Sequence, residues 1–306
     1  MDCSVARKKI PRDKTARFDL AAAAYCTQFM LALLFKAWDL AKPRAKSKAQ
    51  ITFCVAHFNA ADFLEVTLHA IRRHHAEARI VVADSQSAGS QYLAARAACK
   101  KFSAELCPLL GRRGHTGTLN FLFRKIRTKT AVFLDQDCVL LEPLDPLLQK
   151  MAAGILLSGP RDEMQTTHPK HPAAWHKRFR KNPQFIHASL MVVNAGELRH
   201  WMGSQPFHWD SAWGPQPLER YYGFTERIRR QSPDAIFSLD SRHTGYGLGM
   251  VYLHDGRPIA YHNWYSGRIF GHSGKMDGGV EADWLRSEMS RFIRDYWAGT
   301  LELDLQ

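Results

Sequence analysis

The segment from Thr130 to Val139, T-A-V-F-L-D-Q-D-C-V, restricts the fold of this chain more than any other segment. Its short run of apolar, β-prone residues predicts a strand that is buried on both faces. The run ends in Asp135 and Asp137, which an extended chain points to the same side, with Gln136 on the opposite side. Because ligands bind at the carboxyl ends of strands in an open α/β sheet, we expect both acids at a ligand site.

The carboxylates of Asp135 and Asp137 repel each other unless a cation or an array of hydroxyl groups compensates them. A hard divalent cation that also binds a diphosphate is the usual partner of such a pair. Spacing alone leaves a second interpretation open, in which the acidic triplet lies in an ordinary solvated turn. The rest of the sequence favours the metal site.

The composition is that of a folded protein in a reducing compartment. With 306 residues, of which 45% are hydrophobic, the chain is long enough for one large α/β domain or two halves, and disorder of the whole chain is excluded. The six cysteines form no C-x-x-C pair, and Cys54 and Cys138 lie within apolar runs. We therefore predict buried thiols, no zinc site and a cytoplasmic location.

The positive charge is concentrated at the N-terminus. The net charge is +13, and residues 1–50 alone hold eleven Lys and Arg against four Asp. More than half of the excess therefore belongs to this extension, so a groove for duplex nucleic acid is a weak inference and no specific nucleic acid is expected. A basic extension suits anionic lipid or a phosphate-rich partner equally well.

An apolar stretch of 16 residues, from Leu20 to Phe35, lies within this extension. It is shorter than the ~20 residues that span a bilayer. A signal peptide fits poorly, because no clear small-x-small cleavage site follows. We predict an extension over residues 1–48 whose apolar helix contacts the inner face of a membrane, through residues 17–48, or is docked on the body of the protein.

The body begins near residue 49 and alternates strands with helices. One buried strand ends at His57-Phe58-Asn59, the next ends at Asp84, and a Gly-rich basic loop, residues 111–120, precedes a third helix. This alternation predicts an α/β fold with a parallel, doubly wound sheet and helices on both faces for residues 49–143. Residues 144–306 form a second half with a looser pattern.

Two segments of the second half have ambiguous patterns. His168 to Lys181 contains five Lys or Arg, three His and no acid, which suits a solvated face or a mobile loop over a phosphorylated ligand. Pro206 to Tyr222 is rich in aromatic residues, which suits a sugar-binding face or ordinary core packing.

The segment 256–268 contains Y-H-N-W-Y-S-G-R at the end of a further strand. His262 and Arg268 lie six residues apart, and Gly267 permits a tight turn between them. We predict that Arg268 binds a diphosphate directly, and that His262 binds it too or serves as a further ligand of the metal. A plain surface turn is the alternative.

These motifs, in this order, resemble the nucleotide-binding half of the GT-A glycosyltransferases, most closely the family-2 type. The strand that ends at His57-Phe58-Asn59 is similar to the first strand of that family, and V-V-A-D-S-Q-S-A-G-S, with Asp84, is similar to the second. Two further family motifs occur at the right spacing: G-x-x-x-A-x-N at Gly114, Thr118 and Asn120, and D-x-D at Asp135-Gln136-Asp137.

The resemblance implies a GT-A-type Rossmann-like sheet and transfer of a sugar, with inversion, from a nucleotide-sugar donor to a hydroxyl group of a saccharide or other acceptor. It implies that Asp84 contacts the base or ribose and that Asp135 contacts the ribose. Because Ala83 replaces the first acid of the usual acidic pair, a UDP-sugar is only the default donor. The implied nucleotide site comprises His57, Phe58, Asn59, Asp84, Asn120 and Asp135, and Asp137 is implied to hold Mn²⁺ or Mg²⁺ on the diphosphate.

An inverting transfer also needs a carboxylate base beside the acceptor hydroxyl. We expect this base in the second half of the chain, where Asp210 is the first acid after the strand and helix that follow Phe185. The apolar rings of Trp209 and Trp213 suit a carboxylate that must take up a proton, and also a sugar face. Asp210 is therefore the predicted base, and capping of the next turn is its alternative role. Later candidates are Glu219, Glu226, Asp234 and Asp240.

Two other functional classes remain open. A nucleotidyltransferase would have a similar sheet and paired acids, but it should carry a Gly-rich basic loop after its first strand, where this chain has H-F-N-A-A-D. A non-catalytic membrane or nucleic-acid binder would explain the basic extension, but it would leave Asp84, Asp135 and Asp137 at the strand ends without a role.

Overall fold

The first half of the chain folds as alternating strands and helices. The computed structural model describes residues 30–31, 33–38, 49–109, 114–161, 185–207, 220–263, 266–269 and 281–305. The elements of this half are β1 (Ile51–His57), α1 (Ala61–His74), β2 (Arg79–Asp84), α2 (Gly89–Lys101), β3 (Glu105–Pro108), α3 (Gly114–Lys125) and β4 (Thr130–Asp135). β1 pairs in parallel with β2 and β4, and β2 pairs in parallel with β3. The predicted parallel sheet is confirmed for these four strands.

The second half extends the same sheet with mixed strand directions. Its elements are β5 (Cys138–Leu140), α4 (Asp145–Ala152), β6 (Leu157–Pro160), β7 (Leu190–Asn194), α5 (Ala195–Met202), α6 (Arg220–Gln231), β8 (Ile236–His243), β9 (Met250–His254), β10 (Arg257–His262), α7 (Ser266–Ile269) and α8 (Ala282–Ala298). β7 is antiparallel to β4 and β6, and β9 is antiparallel to β8 and β10. The continuous parallel arrangement therefore ends at β4, although β6 and β8 also pair in parallel.

The strand order brings β5 back toward β4. The sheet runs β3-β2-β1-β4-β7-β6-β8-β9-β10-β5, so β5 occupies the far edge although only Gln136 and Asp137 separate it from β4 in the chain. The sheet must therefore curl until its edge lies beside its middle. The backbone N–H of Asn263 donates to the carbonyl oxygen of Asp137 at 3.0 Å, which joins the end of β10 to this connection.

Helices cover both faces of the sheet, as predicted. Along β1, Phe53 and Val55 face one apolar cluster, to which α1, α2, α4 and α8 contribute buried residues. Cys54 and Ala56 face a second cluster, to which α3, α5 and α6 contribute. This alternation of buried side chains places β1 inside a layered α/β fold, with both of its faces covered.

The cysteines within the described residues are buried thiols, as predicted. Cys54, Cys99, Cys107 and Cys138 are buried thiols, and burial raises the pKa of the Cys54 thiol above its usual value. Burial raises the pKa of the Cys138 thiol as well, and the four buried side chains contribute to packing. Among the helices that the structure describes, none is both long enough and apolar enough to cross a bilayer.

The described part of the N-terminal extension includes helical residues 33–38, which contact the body on one side only. Phe35 packs against the first apolar cluster, and the guanidinium of Arg96 lies 4.0 Å from the centre of its ring. Leu34 and Trp38 point away from the body, with exposed fractions of 63% and 62%. The helix is thus docked, as one alternative predicted, and it also presents an apolar outer face.

Candidate active site

The ends of β1 and β2 meet in a buried pair formed by His57 and Asp84. The two residues are register partners, and His57 Nδ1 lies 2.9 Å from Asp84 Oδ1. The backbone N–H of Ser87 donates to Asp84 Oδ2 at 3.2 Å. Burial alone would raise the pKa of Asp84, but the hydrogen bond and charge of His57, together with Ser87 and Lys36, lower it. Asp84 is therefore a buried, ionised carboxylate.

Lys36, from the N-terminal extension, lies over this buried pair. Its Nζ is 3.8 Å from Asp84 Oδ2 and 4.7 Å from the centre of the Tyr92 ring. Asp84 itself is completely buried. A nucleoside that contacts Asp84, as the sequence predicts, must therefore approach beside Lys36 or displace it.

The turn after β1 is held in place by its own polar groups. Asn59 has φ +51°, a left-handed conformation that asparagine tolerates better than most residues. Its side-chain oxygen accepts from the backbone N–H of Ala88 at 2.7 Å, and Ser87 Oγ accepts from the backbone N–H of Asn59 at 2.9 Å. The predicted segment His57-Phe58-Asn59 is thus locked to the loop that follows β2.

Gln136 connects the turn after β1 to the acidic segment. Its Oε1 accepts from the backbone N–H of Phe58 at 2.5 Å, and its Nε2 donates to the carbonyl of Phe58 and to Ser266 Oγ. Gln136 and Asp137 form the turn between β4 and β5, whereas the sequence reasoning assumed an extended chain through the triplet. Ser266 links the two residues of this turn, because its backbone N–H donates to Asp137 Oδ2 at 3.3 Å.

Asp135, Asp137 and His262 form a cluster that can hold a metal ion. One ligand atom from each residue lies within 4.8 Å of the other two. His262 Nε2 is 3.5 Å from Asp137 Oδ1 and 3.9 Å from Asp135 Oδ2. The pairing of β5 with β10, with His262 opposite Cys138, brings these residues together.

The donor atoms of this cluster fit Mn²⁺ or Mg²⁺. Two carboxylates supply hard oxygen ligands, and one imidazole nitrogen suits a transition metal such as Mn²⁺. In the part of the chain that the structure describes, the side chains paired with Asp135 and Asp137 are histidines, His115 and His262. Two buried or half-buried acids without a permanent positive partner there leave room for a cation.

His115 is a site residue that the sequence reasoning missed. It lies at the start of α3, and its Nε2 is 2.9 Å from Asp135 Oδ1. Burial alone would raise the pKa of Asp135, but the charge and hydrogen bond of His115, with the charges of His262 and His187, lower it. The only sequence signal was its position in the Gly-rich basic loop, 111–120.

Asn120 is engaged inside the protein. Its Nδ2 donates to the carbonyl of Phe207 at 2.5 Å, and its Oδ1 accepts from the backbone N–H of Phe207 at 3.0 Å. Phe207 in turn packs on Phe123, Phe133 and Phe224, so this aromatic residue belongs to the core rather than to a sugar face. The amide of Asn120 therefore positions the chain that enters the segment 208–219.

Several predicted site residues lie outside the described residues. These are Asp210 with Trp209 and Trp213, Glu219, the basic segment 168–181, and the side chain of Arg268 in α7. Among the other candidates for the base, Glu226 is bound by Arg229 at 2.9 Å and by Arg230 at 3.1 Å. Asp234 and Asp240 are exposed.

The sequence matches a known family of enzymes. Residues 52–199, just under half of the chain, match the family described as Glycosyl transferase family 2. The matched region contains β1 to β7 and both acids of the D-x-D segment. No curated protein sequence matches the chain.

The solved structures that are similar to this chain match it at low sequence identity and with TM-scores below 0.5. The mannosyltransferase PcManGT from Pyrobaculum calidifontis, in complex with GDP-Man and Mn²⁺, is 19% identical, with a TM-score of 0.44 over 71% of this chain and 67% of its own. Glucosyl-3-phosphoglycerate synthase from Mycobacterium tuberculosis, in complex with Mn²⁺, UDP and phosphoglyceric acid, is 16% identical, with a TM-score of 0.45 over 65% of this chain and 74% of its own. For GlyE of Streptococcus pneumoniae TIGR4 the values are 13% and 0.41, and the match covers 63% of this chain and only 45% of GlyE.

Proposed function

We propose that this chain, of which residues 52–199 match Glycosyl transferase family 2, is a glycosyltransferase with a family-2-like GT-A fold. In this proposal it transfers a sugar from a nucleoside-diphosphate donor to an acceptor hydroxyl, with inversion and with the help of a divalent cation. The observation that carries this proposal is the convergence of Asp135, Asp137 and His262 at the carboxyl ends of β4 and β10. Such a cluster is what a reaction with a diphosphate leaving group requires.

In this proposal, the residues of the cluster divide the work. Asp137 and His262 would hold the cation, and Asp135, which contacts both His115 and His262, would also accept from a ribose hydroxyl. A bound Mn²⁺ or Mg²⁺ would neutralise charge on the departing diphosphate. We assign Arg268 to the diphosphate as well, because its guanidinium can bind two phosphate oxygens at once.

The nucleoside is proposed to lie at the ends of β1 and β2. His57-Phe58-Asn59 and Asp84 form the wall of this position, and Asn120 supports it from α3. Residues 49–143 would then form the donor half, and residues 144–306 the acceptor half with the base. UDP remains the default nucleotide, because Ala83 takes the place of an acid that usually helps to select the base.

A nucleotide panel tests this function. The full-length protein is titrated by calorimetry with UDP, GDP, ADP and CDP, with and without Mn²⁺, and then incubated with the matching nucleotide-sugars and an acceptor mixture. We expect one nucleoside diphosphate to bind in a Mn²⁺-dependent way and to be released during turnover. Release of pyrophosphate in place of a nucleoside diphosphate would identify a nucleotidyltransferase and contradict the proposal.

We also propose that the outer face of residues 30–38 binds the inner surface of an anionic membrane. Leu34 and Trp38 are four residues apart on a helix, so they lie on one face, and Met30 and Leu31 are exposed as well. The eleven basic residues of 1–50 complement anionic lipid. Apolar insertion and electrostatic attraction together favour peripheral binding.

A double variant, Leu34→Ser with Trp38→Ser, should lose this membrane binding and stay folded. Each large apolar side chain contributes about 1.5–3 kcal/mol when it is buried, so we expect vesicle binding to fall by at least ~10²-fold. Sedimentation with phosphatidylserine vesicles measures this change. Trp201→Ser removes an exposed tryptophan on α5 and serves as the control. Equal binding of the double variant and the wild type would exclude this face as the membrane contact.

A further inference from the structure

A buried chain of hydrogen bonds lies behind His262, on the side away from the two acids. Tyr252 Oη is 2.9 Å from His262 Nδ1 and 2.6 Å from Ser189 Oγ, and Ser189 Oγ is 2.8 Å from His187 Nδ1. All four side chains are buried. Ser189 is also tied to the cluster itself, because its carbonyl accepts from the backbone N–H of Asp135 at 3.0 Å.

The direction of this chain is set by a backbone group at its far end. The backbone N–H of Ser189 donates to His187 Nδ1 at 3.2 Å. A backbone amide can only donate, so this nitrogen of His187 carries a lone pair and no hydrogen. The 2.8 Å contact between Ser189 Oγ and this nitrogen then takes its hydrogen from the Ser189 hydroxyl, which shares the lone pair with the backbone N–H, and this leaves the Ser189 oxygen as an acceptor.

The same reasoning passes through Tyr252 to His262. Because Ser189 Oγ is an acceptor, the Tyr252 hydroxyl donates its one hydrogen to it. The Tyr252 oxygen is then free to accept, and the hydrogen in its contact with His262 comes from Nδ1. His262 therefore holds its hydrogen on Nδ1 and turns the lone pair of Nε2 toward Asp135 and Asp137.

We propose that Ser189 and Tyr252 are positioning residues that fix His262 in the tautomer able to bind a divalent cation through Nε2. This inference rests on the metal site of the proposed function. It extends the site from its ligands to the groups that orient them, which commonly have a strong effect on metal affinity. Neither residue contacts the cation or the donor in this proposal.

The opposite direction of the chain is unfavourable. If Tyr252 donated to His262 Nδ1, Ser189 would donate to Tyr252, and the oxygen of Ser189 would face the lone pair of His187 without a hydrogen between them. Such a buried contact sets two lone pairs against each other and leaves the Ser189 hydroxyl oxygen without compensation. In addition, neutral His262 would then point an N–H at the acids, in the place where a cation must bind.

The test is Tyr252→Phe, which removes the hydroxyl and keeps the buried ring. We expect the Kd for Mn²⁺, measured by calorimetry or by electron paramagnetic resonance of the free ion, to rise about 10–100-fold. Ser189→Ala should act in the same direction. The matched control is Tyr246→Phe, which removes another buried phenol hydroxyl. That hydroxyl donates to Asp295 at 2.9 Å and takes no part in the hydrogen bonds from His187 to His262.

A second measurement needs no metal. Long-range ¹H–¹⁵N spectra of the metal-free protein at mildly alkaline pH, with His262 assigned from a His262→Asn variant, should show one Nδ1–H tautomer in the wild type and a mixture in Tyr252→Phe. An Nε2–H tautomer in the wild type, or an unchanged Kd for Mn²⁺ in Tyr252→Phe, would overturn the inference. If the wild type bound no Mn²⁺ while its spectrum showed the Nδ1–H tautomer, the metal step of the proposed function would fail and the orienting role would stand.

Discussion

Asp137→Asn is expected to abolish Mn²⁺-dependent binding of a nucleoside diphosphate and the turnover that depends on it. The side chain is almost fully buried and lies 3.5 Å from His262, where a direct ligand of the proposed cation would lie. The amide keeps the shape and one oxygen, which can still accept from the backbone N–H of Ser266. It lacks the negative charge, however, so the loss should exceed the ~10–100-fold typical of groups that only orient a ligand.

This result is measured by calorimetry with and without Mn²⁺ and by nucleotide release during turnover. Asp255→Asn makes the same chemical change at an exposed residue in the turn between β9 and β10, and we expect it to match the wild type. The thermal transition should be retained in both variants. Equal Mn²⁺-dependent affinity in Asp137→Asn and wild type would remove Asp137 from the metal site.

Asp210→Asn should depress turnover by ~10²–10⁴-fold, the usual effect of a lost general base, with donor binding little changed. The amide keeps the size of the side chain and removes its basicity. Among the other candidates for the base, Glu226 is disfavoured, because Arg229 and Arg230 already bind its carboxylate. Asp210 itself lies in the segment 208–219, outside the described residues.

The measurement compares the turnover number with the Kd of the donor in the same variant. Asp240→Asn and Glu219→Gln provide matched comparisons at the other candidate positions, and we expect near-normal turnover in both. Near-normal turnover in Asp210→Asn would contradict the assignment. A large loss in one of the other two variants would then locate the base there.

The elements with strong local signals were predictable from the sequence. β1, β2 and β4 are short apolar runs that end in polar residues, and strand pairing inside an α/β fold follows from their alternation with helices. The prediction of parallel pairing covered the strands up to β4, and the strands beyond it pair in mixed directions. For the strands after β4, parallel or antiparallel pairing depends on the course of long connections. The periodicity of apolar residues within a strand does not predict that course.

The site was predictable only in part for the same reason. The spacing of Asp135 and Asp137 after an apolar run identifies them as candidate ligands, and His262 was selected because it ends a predicted strand. Each of these predictions used only local sequence. Two contacts join elements that are distant in the sequence: His115 with Asp135, and Lys36 with Asp84. No local sequence pattern predicts either of them. Asn120 matched a family motif, yet its hydrogen bonds to Phe207 come from tertiary packing.

The return of β5 toward β4 gives the cluster a position with consequences for the whole domain. Asp135 ends β4, in the middle of the strand order, Asp137 lies in the turn between β4 and β5, and His262 ends the strand beside the far edge. A cation held by all three would join the middle of the curled sheet to its far edge, and its binding energy would add to the stability of the strands between them. Binding of the cation would then be thermodynamically linked to the packing of the proposed donor half against the proposed acceptor half. A change that strengthens either one would therefore strengthen the other.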